Sequence, residues 1–165
     1  MSKNKTKVVA EPGRLDFTIT REFDAPRELV FKAHTDPELF KQWMGPRRLA
    51  MDLKTFNAVT GGSWRYISRE QDGSGAEYGF HGVFHEVFFP ERIIQTFEFE
   101  GLPEAGHASL GSARFEALPG GRCRVTSISV FLTQENREGM LQAGMEQGLS
   151  ETYERLDDLL AKESK

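Results

Sequence analysis

The chain has 165 residues, 38% of them hydrophobic and 28% charged, with 21 basic against 25 acidic side chains and one cysteine, Cys123. That length suffices for a single core without disulfide or structural metal, and a lone thiol forms no intrachain bridge. No run approaches the roughly 18 apolar residues of a membrane span, and the only basic cluster, Lys3, Lys5 and Lys7, is too small to neutralise several phosphates, which argues against nucleic acid as a partner.

Residues 1–14 are polar, basic and broken by Pro12-Gly13, so they read as a disordered leader. The charged N-terminus has no apolar run of secretory-signal length behind it, and the protein reads as cytoplasmic. Residues 15–162 read as one domain without repeats or linkers. Phe17, Ile19 and Phe23 share a face of an alternating segment, the period of a half-buried strand. Asp24-Ala25-Pro26 opens a short helix over Arg27–Ala33, and Asp36-Pro37 caps and starts a second, which Gly45-Pro46 ends.

From residue 48 to 132 the pattern is a meander of six strands, over 48–56, 63–70, 76–88, 92–100, 108–118 and 122–132. Turns fall at Gly61-Gly62, Asp72–Gly75, Pro90-Glu91 and Pro119–Gly121. In the third of these strands Phe80, Gly82, Phe84 and Phe88 share one face, opposite His81, Val83, His85 and Val87. In the fourth, Ile93, Phe97 and Phe99 oppose Thr96, Glu98 and Glu100. From Glu135 to Lys162, Leu141, Met145, Leu149, Leu156 and Leu160 recur at helical spacing, which predicts one long amphipathic helix of about seven turns. Gly144 and Gly148 lie on one stripe of it, where a sheet or ligand can approach the backbone.

In this order of elements several residues carry a family resemblance. They are Phe23-x-Ala25-Pro26-x-x-x-Val30-Phe31, Thr35-Asp36-Pro37 followed by Trp43-x-Gly45-Pro46, and Gly61-Gly62-x-Trp64-x-Tyr66. Further on come Gly82-x-Phe84-x-Glu86-Val87, Pro90-Glu91-Arg92-Ile93 and Gly144-Met145-x-x-x-Leu149. Over about residues 16–161 the chain resembles the START-like, helix-grip (SRPBCC) superfamily. Within it, the chain is similar to bacterial single-domain proteins related to the C-terminal domain of the heat-shock-protein-90 ATPase activator. The resemblance implies an α+β helix-grip fold, in which a curved seven-stranded antiparallel sheet wraps a long C-terminal helix and two short helices lie between strands one and two. It also implies a hydrophobic cavity between sheet and helix, with the Trp43–Pro46 corner near its entrance. The family usually has Gly-Trp where this chain has Gly144-Met145, so the resemblance implies a cavity of different shape here.

No catalytic constellation stands out, and no metal or cofactor is implied. His81 and His85 sit on one strand face about 13 Å apart at roughly 3.3 Å per residue, too far to share a zinc ion. They are expected on the outer face, or else with one reaching the cavity mouth as a general base. The other two histidines are His34 and His107, and Cys123 is remote in sequence from all four. Cys123, between Arg122 and Arg124, reads as a small strand residue. The aromatic set is the most informative: Trp43, Trp64, Tyr66, Phe80, Phe84, Phe97, Phe99 and Phe115, with Met140, Leu141, Met145 and Leu149 from the helix. These side chains either line one apolar hollow, with Tyr66, Gln95, Ser127 and Ser129 as polar groups, or pack on one another.

Three readings follow. The first is non-catalytic binding of a small hydrophobic or amphipathic molecule, lipid- or polyketide-like. The second is a cyclase or aromatase in which a pocket tyrosine or histidine handles protons. The third is a chaperone-associated stress-response module. Monomer and homodimer are both compatible with the sequence.

Overall fold

The computed structural model describes residues 4–164. In chain order the elements are β1 (Lys7–Val9), β2 (Asp16–Phe23), α1 (Arg27–Thr35), α2 (Pro37–Phe40), β3 (Leu49–Phe56), β4 (Ser63–Glu70) and β5 (Glu77–Phe88). Then follow β6 (Arg92–Phe99), β7 (Ala108–Leu118), β8 (Arg122–Val130), α3 (Gln134–Gln142) and α4 (Met145–Glu163). All strands form one antiparallel sheet in the order β1-β2-β8-β7-β6-β5-β4-β3.

The α+β architecture agrees with expectation, but the sheet has eight strands where seven were expected. The extra one, β1, lies within the segment expected to be disordered. It pairs Lys7, Val8 and Val9 with Thr20, Ile19 and Thr18 of the β2 edge. The connection is pinned from α3: the buried guanidinium of Arg137 donates to the carbonyls of Glu11 and Arg14 at 2.8 and 2.9 Å. A three-residue strand held by backbone pairing and a distant arginine leaves almost no trace in hydrophobic periodicity.

The single long helix is likewise two helices. Ala143 ends α3, and Gly144, at φ +76°, starts α4 from the left-handed region. An L-residue there costs about 1–2 kcal/mol, which glycine avoids. A Cβ at Gly144 or Gly148 would meet nothing within 4 Å. Chain reversal, not close approach, is therefore what requires Gly144.

The capping at α2 follows the sequence, since Asp36 Oδ1 accepts from Glu38 N at 2.9 Å with Pro37 in the first turn. Pro26 stands just outside α1 as its N-cap. A register shift between Phe84 and Glu86 turns the end of β5 by one position. Val87 then pairs with Ile93, while Phe88, expected inside, is half exposed.

The core lies between the inner sheet face and α1, α2 and α4. From α4, Tyr153, Leu156, Leu159 and Leu160 are buried in it. Arg21 of β2 is also buried and reaches Asp157 of α4 through its two terminal guanidinium nitrogens, Nη1 at 3.1 Å. This ion pair joins the sheet to the helix inside the core. Among the described residues, no helix is long and apolar enough to cross a membrane.

Candidate functional site

The inner faces of the central strands do not fill completely. Between them and the helices lies a cavity of about 280 Å³, at the lower edge of the range for small-molecule pockets. Phe17 of β2 and Trp64 of β4 both line it, although four strands stand between β2 and β4 in the sheet. On a flat sheet five inter-strand spacings amount to about 24 Å. The sheet must curl to bring these rings to one hollow.

The floor has an ordered polar strip. Strand register places Phe17, Ser129, Gly111, Gln95 and Phe84 in one row across β2, β8, β7, β6 and β5. Ser127 lies in the neighbouring row, opposite Ile19 and Ala113. All of these residues line the cavity. Alternation carries their side chains to the same face as the aromatic rings. The roof is flexible and apolar, made of Met140 from α3 and Met145 and Leu149 from α4.

Trp64 and Tyr66 form one end wall, stacked with centroids 5.5 Å apart. Trp64 lies over Gly82, where a Cβ would overlap both its indole nitrogen and the Thr96 carbonyl oxygen. Only glycine leaves room for the indole on this strand. Burial pushes the Tyr66 phenol well above its ordinary pKa, so its hydroxyl stays protonated and can donate or accept a hydrogen bond.

The lining continues from Tyr66, through its ring contact with Phe40, to α1, α2 and the segment after them. His34, in the last turn of α1, lines the cavity beside Phe40 and Met44. Its Nδ1 lies 2.7 Å from the Val30 carbonyl oxygen. A carbonyl only accepts, so Nδ1–H donates and the neutral ring carries its lone pair on Nε2. Trp43 and Phe115 pack edge-to-face against the imidazole at 4.8 and 5.1 Å. Burial lowers the His34 pKa from 6.5 to about 4, opposed only by the Val30 hydrogen bond.

Six of the eleven expected ligand contacts meet at this cavity: Trp64, Tyr66, Phe84, Phe97, Met145 and Leu149. The four expected polar groups, Tyr66, Gln95, Ser127 and Ser129, are there too. Trp43, Phe80, Phe99, Phe115 and Leu141 do not line it. Trp43 is spent in the core, where its Nε1 donates to the Ala33 carbonyl at 2.9 Å. Phe115 is buried between Phe31 and His34. Phe80 continues the ring ladder outward from Tyr66 and Phe97 to Phe99. Leu141 packs against the core from the C-terminal end of α3.

His34 is the residue that sequence reasoning missed. The available signal was its spacing, four residues after Val30 and three after Phe31, which places it on the buried stripe of α1. His81 and His85 are both on the outer face. His81 is held by Glu100 at 2.9 Å, and His85 is exposed. The general-base role considered for them is therefore not open to either. Cys123 is fully buried, and burial raises its thiol to about 11, leaving it unreactive at neutral pH.

Comparison with known proteins places these features in context. The family model for Activator of Hsp90 ATPase homolog 1-like protein matches residues 24–161. A solution structure of a protein from Arthrobacter aurescens is 26% identical, with a TM-score of 0.84 over 94% of this chain and 91% of that one. Another, from Staphylococcus epidermidis, is 27% identical, with a TM-score of 0.79 over 93% of each chain. A crystal structure from Mycobacterium smegmatis, 24% identical, shares the fold with a TM-score of 0.82 over 94% and 96% of the two chains. No curated protein matches.

Proposed function

Since the chain belongs to the Activator of Hsp90 ATPase homolog 1-like protein family, whose fold is compatible with ligand binding, we propose that it binds a small hydrophobic or amphipathic molecule between sheet and helices without transforming it. The observation that carries this reading is the cavity itself. It is walled by Trp64, Phe84, Phe97, Met145 and Leu149 and floored by a short strip of serines and Gln95. Apolar walls with a few fixed polar groups suit a ligand with a hydrophobic body and one or two hydrogen-bonding substituents. The activator role in the family's description belongs to the family name; the cavity is what this chain's own residues display.

Titration with N-phenyl-1-naphthylamine, an uncharged fluorescent probe, tests the reading. Saturable binding with methyl-resonance shifts at Met140, Met145 and Leu149 is expected. Shifts confined to the exposed Phe88 and Phe89 would show surface adsorption and overturn it.

A further inference from the structure

We infer that the cavity selects uncharged aromatic alcohols, with His34 Nε2 as the acceptor for the ligand hydroxyl. The inference deepens the binding reading and rests on it. Three observations converge on this. First, the cavity lining contains no Asp, Glu, Lys or Arg. An ionised ligand would leave water without a counter-ion, and charged groups are strongly disfavoured in such a place.

Second, the orientation of His34 is fixed. Its Nδ1–H is committed to the Val30 carbonyl at 2.7 Å, and Trp43 and Phe115 hold the ring edge-on. His34 is part of the cavity lining, and with Nδ1 turned to the helix backbone its remaining ring nitrogen, Nε2, makes no hydrogen bond among the described residues. A lone pair without a donor in an apolar wall is complementary to an O–H and not to a carbonyl or ether oxygen. The depressed basicity of the ring keeps that lone pair unprotonated across the physiological range.

Third, another part of the lining is built of ring faces. Trp64 and Tyr66 stack together, and Trp64 continues to Phe97 at 5.9 Å. A flat aromatic body packs on such a surface in offset or tilted geometry. A hydroxyl on one side of that body meets His34, while the serine strip solvates the rest of its polar edge.

Three probes of nearly equal shape separate the possibilities: 2-naphthol, naphthalene and 2-naphthoate, titrated into the full chain at pH 7. We expect 2-naphthol to bind at least tenfold more tightly than naphthalene, and 2-naphthoate to bind at least a hundredfold more weakly than 2-naphthol. In His34→Phe the preference for 2-naphthol over naphthalene should vanish while naphthalene affinity is kept or improved. With ¹⁵N-labelled histidine, 2-naphthol should move the His34 Nε2 resonance and leave Nδ1 protonated, whether or not the variant folds. Equal binding of 2-naphthol and naphthalene, or an unmoved Nε2 resonance at saturation, overturns the proposal while leaving the cavity a binding site. Failure of all three probes to bind overturns both readings.

Discussion

At the scale of single residues, His34 does most to give the site its character. A histidine on the inner stripe of a helix is ordinarily a packing residue. Here the bond to Val30 fixes its tautomer, and burial beside Trp43 and Phe115 leaves it neutral in spite of that bond. This has a consequence for stability. With the folded pKa near 4 against 6.5, the unfolded chain takes up a proton between those values that the folded chain does not. Stability therefore falls as pH drops from about 6.5 to about 4 and levels off below, by about 2–3 kcal/mol from this group. Urea unfolding at pH 7 and at pH 4.5 checks it: the wild-type chain should lose stability over this interval, and His34→Phe should lose less by most of that amount. Glu100 acts in a different window. Arg65 and His81 hold its carboxyl at about 2, so its contribution is present above 4.5 and lost only as pH falls towards 2.

At the scale of elements, the grip of sheet on helix depends on one polar contact as well as on apolar packing. The guanidinium of Arg21 is 1% exposed and faces Asp157, with one further bond to the Glu22 carbonyl at 2.7 Å. Removing the carboxylate leaves a buried charge without its partner. Asp157→Ala should therefore cost about 3–5 kcal/mol, whereas Arg21→Met combined with Asp157→Leu should recover much of the loss. Unfolding midpoints of the three variants give the comparison, and a double variant as unstable as Asp157→Ala would contradict it. Elements with strong periodicity were legible in the sequence: β2, α1, α2 and the meander from β3 to β8 stand close to their expected spans. What was not legible depended on the backbone. The break at Gly144 needs a positive φ, which helical spacing of leucines cannot reveal. The bulge after Phe84 exchanges Val87 for Phe88, and β1 exists because the β2 edge accepts it.

At the scale of the whole molecule, the aromatic richness of the chain separates into two uses. Phe23, Phe31, Trp43 and Phe115 fill a core. Phe17, Phe56, Trp64, Phe84 and Phe97 border a space the core leaves open. Sequence alternation identified the inner face but not which rings would interlock, because that depends on how far the sheet curls and on where Gly82 admits the indole. Trp43 illustrates the limit: the next residue, Met44, lines the cavity, whereas the Trp43 indole bonds to the Ala33 carbonyl in the core and is not part of the lining. The account's central claim is that the remaining space is a binding site and not a packing remnant. The affinity of N-phenyl-1-naphthylamine for Leu149→Trp, beside that for the wild-type chain, tests this most directly. An indole projecting from the roof should weaken binding at least tenfold in a chain whose circular dichroism remains native. Undiminished affinity in that folded variant would contradict the claim.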